Sequence, residues 1–174
     1  PRRFAADSPD VWDALLAKLS TATVAFLNTL IADGAAMYQL FDSWAGSLDP
    51  WEYDIWAQRH HEAILAGATG VPRILFVKEG PYLERLCTSG ADVISLGSCH
   101  DLAAARAKYP HLVFQGNVDE DILRMGTPAD VTAATKACLA AGGGRRHIVN
   151  LNHGVDKGTP VANFEAYIRA VKGG

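Results

Sequence analysis

Five short apolar runs in this chain each end in side chains able to hold a ligand or move a proton. Asp42 and Ser43 follow Leu40-Phe41. Lys78 and Glu79 follow Ile74-Leu75-Phe76-Val77. Ser98, Cys99 and His100 come after Val93-Ile94-Ser95-Leu96 and Gly97. Gln115 and Asn117 close Leu112-Val113-Phe114, and Asn152 and His153 close Ile148-Val149-Asn150-Leu151. These are mostly hydrogen-bonding groups, with one cation and a few titratable residues. His153 is the most suggestive, because Gly154 behind it lets a ligand approach the backbone closely. An imidazole at the end of a buried strand reads as a ligand contact, against the alternative that it satisfies loop carbonyls. Ser43 can donate to a substrate carboxylate or bond its own turn. Lys78 can pair an anionic substrate or its neighbour Glu79. Gln115 and Asn117 can line the floor of a cleft, although plain turn chemistry explains them as well.

Other patterns point away from chemistry. His60-His61 sits on a helix, where adjacent residues do not share a face, and reads as a solvated pair. Cys99-His100 offers two metal-ligand types without a partner motif, so no metal is expected. Gly142-Gly143-Gly144-Arg145-Arg146 follows a helix and precedes a strand, the reverse of a phosphate loop. Trp44, Trp51 and Trp56 read as packing residues.

The elements that position the polar groups follow from periodicity. Ser8-Pro9-Asp10 predicts a capped helix start, with Pro9 in the first turn and Gly34 as the stop. Asp49-Pro50 predicts a second helix, running to Gly67. Further helices are expected over Pro81–Leu86, Asp101–Lys108, Thr127–Ala141 and Pro160–Val171, with strands between them. Near-continuous apolar strands alternating with helices predict an α/β fold with a parallel sheet covered on both faces. About five strands fit either an open doubly wound sheet or part of a (β/α) barrel, and in both the strand C-termini form the ligand face. No linker divides residues 1–174, so a single domain is expected.

The 174 residues carry a net charge of −3. That balance gives no sign of a nucleic-acid surface. The 3 cysteines are an odd, scattered set, which fits a reducing cytoplasm better than a disulfide framework. No apolar run approaches the ~20 residues of a membrane span, so no membrane segment is expected. Pro1-Arg2-Arg3-Phe4 does not read as a signal peptide.

Five segments together carry a resemblance: Leu40-Phe41-Asp42-Ser43-Trp44-Ala45-Gly46, Ile74-Leu75-Phe76-Val77-Lys78, Ser89-Gly90-Ala91-Asp92-Val93, Gln115-Gly116-Asn117-Val118-Asp119 and Asn150-Leu151-Asn152-His153-Gly154. In this order the chain resembles the uroporphyrinogen decarboxylase family over nearly its whole length. The resemblance implies the C-terminal half of a (β/α)8 barrel. It also implies a cytoplasmic, homodimeric enzyme that needs no cofactor. Its substrate is an anionic tetrapyrrole, from which four acetate carboxyls leave as CO2. Ser43 and His153 match the family's substrate-contacting serine and histidine. The family's arginine-rich segment and central aspartate would lie upstream of Pro1, so the chain alone is expected to be inactive. Where the family usually reads Gly-Leu-Asp-Trp-Thr, this chain reads Ser95-Leu96-Gly97-Ser98-Cys99, and Gly97 replaces the acid. A related class, the cobalamin-linked methyltransferases, binds zinc through His-x-Cys where this chain has Phe76-Val77-Lys78. A third expectation is a non-catalytic half-barrel that self-associates through its raw sheet edges.

Overall fold

Strand and helix alternate along most of the chain. The structure, a computed structural model, describes residues 2–173; Pro1, where the N-terminal reading begins, lies outside them. Strands β1 (Tyr38–Asp42), β2 (Arg73–Val77), β3 (Val93–Ser95), β4 (Val113–Gln115) and β5 (His147–Ile148) form one parallel sheet in the order β1-β2-β3-β4-β5. Every neighbour in the sheet is a neighbour in sequence. Right-handed crossovers place each helix on the same face unless the strand order reverses. A doubly wound sheet has such a reversal, and this one has none. The sheet is therefore part of a (β/α) barrel wall. Helices on both faces, as the apolar strands suggested, is the wrong expectation: the second face is the barrel interior.

Side-chain alternation separates the two faces. Tyr38, Leu75, Val77, Ile94 and Phe114 join the core shared with the helices. Ile74, Phe76, Ser95 and Gln115 are also buried but point the other way, inside the curved sheet. Apolar runs longer than a strict alternation are explained by this double burial.

The helices are α1 (Arg2–Asp7), α2 (Pro9–Ala32), α3 (Pro50–Tyr53), α4 (Arg59–Gly67), α5 (Leu83–Thr88), α6 (Leu102–Lys108), α7 (Glu120–Met125), α8 (Pro128–Gly142) and α9 (Val161–Val171). A π-helical turn over Asp54–Gln58 joins α3 to α4. Pro9 occupies the first turn of α2 as expected, but the Ser8 side chain makes no capping bond. Gly34, at φ +101°, takes a backbone conformation that ends the helix. Asp101 caps α6, and Thr127 caps α8 in a reciprocal box with Asp130. Sequence periodicity missed the short helices α1 and α7. It also placed the last strand too late: the ladder is His147–Ile148, followed by a lone bridge between Val118 and Leu151.

Helix α2 bears on the expectation about membrane spans. It is long and apolar enough to cross a membrane by length and composition. The sequence hid this because Lys, Ser, Thr and Asn interrupt every apolar run. Within the fold α2 lies along α4, where Asn28 Nδ2 donates to the Gly67 carbonyl at 3.0 Å. A Cβ at Gly67 would stand 2.8 Å from the Val24 side chain, so glycine there sets the close helix approach.

Candidate active site

Parallel pairing brings all five strand C-termini to one edge of the sheet, and the loops beyond them form a single mouth. At β1 the turn is made by Asp42 rather than by Ser43. Asp42 Oδ1 accepts the N–H groups of Trp44 and Ala45 at 3.2 and 3.0 Å. Its Oδ2 meets His61 Nε2 at 3.0 Å. Burial alone would push the Asp42 carboxyl up. The His61 hydrogen bond and charge, with the two backbone donors, outweigh it and hold the carboxyl below its ordinary value. Ser43 itself is exposed.

His61 is not half of a solvated pair. It is buried beneath β1, with Nδ1 3.4 Å from the Tyr53 hydroxyl. His60 turns the other way and lies 3.1 Å from Ser20 Oγ on α2. Adjacent helical residues do diverge, but α4 lies between the sheet and α2, so both faces are covered. Trp44 departs from expectation in the opposite sense: it is 82% exposed beside Ser43. A cavity of about 770 Å³ opens beside Asp42 and Trp44, lined also by Trp12, Leu16, Leu48 and Trp56.

At β2, Lys78 points to solvent, and Glu79 turns from it toward β3 and β5. At β3, the carbonyls of Gly97 and His100 each accept the Asn117 side-chain amide at 2.8 Å. His100 Nε2 lies 2.7 Å from the Gly80 carbonyl. Cys99 is exposed; its thiol is pushed up by desolvation and by the Glu79 charge. Gln115 lies one layer down, on the inner face, where its amide donates to Gln39 Oε1 and Ser95 Oγ, both at 3.1 Å. Asn117 and Gln115 thus tie strands together.

At β5, Asn152 is buried and donates to Glu79 Oε1 at 2.8 Å. Its Oδ1 accepts the Glu120 N–H at 2.9 Å. Next to it His153 Nε2 meets Glu120 Oε1 at 2.8 Å, and Nδ1 lies 3.1 Å from the Gly154 carbonyl. His153 therefore serves a loop carbonyl and a carboxylate at the end of β5. Among the described residues no group of three or more His, Cys, Asp or Glu could hold a metal ion.

A family model described as uroporphyrinogen decarboxylase (URO-D) matches residues 2–174. The chain belongs to the uroporphyrinogen decarboxylase family. A uroporphyrinogen decarboxylase of Synechococcus sp. (strain CC9605) is 38% identical over 170 residues, covering 94% of this chain and 48% of the relative. That of Coxiella burnetii (strain RSA 493 / Nine Mile phase I) is 36% identical over 172 residues, with the same coverage of 94% and 48%. The chain spans about half the length of the curated relatives it matches. A solved methyltransferase from Methanosarcina mazei superposes with a TM-score of 0.84 at 16% identity, covering 99% of this chain and 52% of that one. This likeness fixes the fold as a partial barrel of the same kind.

Around this mouth the sequence does not single out Glu120 or Gln39, and it misplaces His61. Glu120 follows Asp119, the N-cap of a helix too short to show a period. Gln39 sits inside an apolar run, and a lone amide there is a signal that an inward polar layer exists. His61 gave none.

Proposed function

We propose that this chain supplies the C-terminal half of the substrate mouth of a uroporphyrinogen decarboxylase. The reaction converts uroporphyrinogen III to coproporphyrinogen III by removing four acetate carboxyls as CO2. Family membership over residues 2–174 is the observation that carries this reading. The common edge of five strand ends is consistent with it, since one mouth must face every acetate in turn.

The chemistry asks for few groups. Protonating a pyrrole carbon creates an electron sink, CO2 departs, and the carbon left behind takes a proton. The protein holds a polyanion, orients one acetate and places an acid. In this reading the exposed Ser43 hydroxyl donates to a substrate carboxylate, and His153 contacts the substrate from the far side of the mouth. Lys78 offers a solvent-facing cation for a second carboxylate, while Gln115 and Asn117 keep the floor rigid. All 174 residues act as one domain, in a cytoplasmic homodimer.

Trp44 provides the test. Its exposed indole adjoins Ser43, so coproporphyrin III, a stable tetracarboxylate, should quench its fluorescence on binding. The purified chain alone should release no CO2 from uroporphyrinogen under anaerobic conditions. Co-folded with the N-terminal half of the Synechococcus relative, it should produce coproporphyrinogen. Absence of both quenching and reconstituted turnover would refute the reading.

A further inference from the structure

Glu79 stands at the junction of three strand ends. Its Oε1 accepts the Ser98 N–H at 3.0 Å and the Asn152 side-chain amide at 2.8 Å. Its Oε2 accepts the Ser98 hydroxyl at 3.2 Å and the Cys99 N–H at 3.4 Å. Four donors fill the acceptor sites of an ionised carboxylate. Burial pushes this carboxyl up, but these hydrogen bonds outweigh it and keep it below its ordinary value. A group so engaged is not a proton donor to substrate; it is a fastener.

Two further observations show that its placement is specific. The Glu79 backbone has φ 46°, the left-handed region that a non-glycine residue occupies at a cost. Gly97, on the neighbouring strand end, leaves the room the carboxylate needs. A Cβ at Gly97 would stand 2.8 Å from Glu79 Oε2 and 2.9 Å from its Cα. Gly97 itself is not at positive φ, so glycine is required there by the close approach of residue 79, backbone and carboxylate together, and not by the turn. The carboxylate thus reaches from β2 into the volume that a side chain on the β3 loop would fill.

We propose that Glu79 is a positioning residue of the mouth: it clamps the β3 loop and the β5 loop to β2 and so sets where His153 stands, doing from residue 79 what an acidic side chain at residue 97 would do from the opposite strand. The link to ligand binding rests on the decarboxylase reading above; the clamp does not.

Two variants test it in the full chain, with amide hydrogen exchange at Ser98 and Cys99 and coproporphyrin III binding as readouts. Glu79→Gln keeps the shape but turns an amide toward groups that are themselves donors. It should speed exchange at both amides about tenfold and weaken porphyrin binding about tenfold, the scale of one charge-assisted hydrogen bond. The double change Glu79→Gly with Gly97→Asp moves the carboxylate to the other strand and gives residue 79 a backbone at ease with positive φ. A Cβ at residue 97 would still meet the residue 79 Cα at 2.9 Å, so the β3 loop must draw back from that backbone, after which the variant should restore much of both. Unchanged exchange in Glu79→Gln overturns the clamp. So does a folded double variant, with wild-type thermal midpoint, that restores neither readout. A wild-type chain that binds no porphyrin and gives no reconstituted turnover, while exchange responds as expected, upholds the clamp and sinks the decarboxylase reading instead.

Discussion

The side-chain amide of Gln115 on β4 donates to the side-chain carbonyl of Gln39 on β1 at 3.1 Å, across two intervening strands. Neighbouring strands lie about 4.8 Å apart, so in a flat sheet these two would be separated by roughly 14 Å. Side chains standing perpendicular to such a sheet would not meet. The sheet has curled until the inner faces of β1 and β4 look at each other, as in a barrel wall. Ser95, 2% exposed, completes the bridge by accepting from the same amide.

Replacing Gln115 with Leu should therefore cost about 1–3 kcal/mol, because the buried Ser95 hydroxyl and the Gln39 carbonyl lose their donor. Urea unfolding at neutral pH reads this as a lower midpoint at unchanged slope. Changing Gln39 as well, to Leu, should recover part of the loss by removing one orphaned acceptor. A midpoint equal to that of the parent chain in Gln115→Leu would show that the bridge, and the curvature inferred from it, does not hold in solution.

The Asp42–His61 pair makes a pH prediction. The Asp42 carboxyl, ordinarily at 3.8, is lower in the fold, so the unfolded chain binds its proton more readily. The stability it contributes is complete above about pH 4 and is lost as pH falls through the folded value. Glu79, ordinarily at 4.5, adds to the same decline, beginning slightly higher. Asp42→Asn should cost about 2 kcal/mol at pH 7, less whatever the carboxylate's partial exposure screens away. It should also flatten the fall below pH 4. Urea midpoints at pH 3 and pH 7 check both; a parallel fall in parent and variant would rule out the pair as the cause.

Much of this strand-end face is legible in the sequence, for a definite reason. Abrupt changes from apolar to polar residues mark strand ends, and a parallel sheet sends all of them to one edge, so Ser43, Lys78, Asn117 and His153 are placed by topology alone. Their partners are another matter. Glu79 could as well have paired Lys78, and only the fold turns it toward Asn152, 73 residues away. The choice between an open sheet and a barrel was not legible in the apolar periodicity; only the family resemblance favoured the barrel, and the sheet bears it out. That choice depends on strand order, and an apolar run is the same whether its second face meets helices or the barrel interior. His61 was misjudged because helix geometry says that adjacent residues diverge, not that both directions are covered.

The inner face and the two edges of the sheet carry a prediction about association. Phe41 on β1 is 67% exposed and packs only partly on Phe76, at 5.4 Å between ring centroids. Ile148 on β5 is 36% exposed. Both strands also offer an unpaired backbone edge among the described residues. The chain should run larger than a monomer in sedimentation at micromolar concentration. Phe41→Lys with Ile148→Lys should shift it toward the monomer, since an inward charge discourages apolar and edge pairing. A parent chain that sediments as a monomer would show that these surfaces need no cover.

His153 and Glu120 make the sharpest statement about the proposed ligand. The Glu120 carboxylate holds the imidazole at 2.8 Å, and its other oxygen, Oε2, is buried without a hydrogen-bond partner. A substrate carboxylate that binds His153 must displace this internal one, so Glu120 acts as a competitor already in place. Glu120→Gln should then tighten coproporphyrin III binding, by about tenfold, because a neutral amide holds the imidazole less strongly and a like charge leaves the mouth. His153→Ala should weaken it by a similar factor. In the double variant the gain from Glu120→Gln should shrink to the part due to charge alone, since the imidazole it would loosen is absent. Tryptophan quenching titrations give all four affinities. Weaker binding in Glu120→Gln would mean that the carboxylate orients His153 for the ligand instead of competing with it, and the direction of this coupling would have to be reversed.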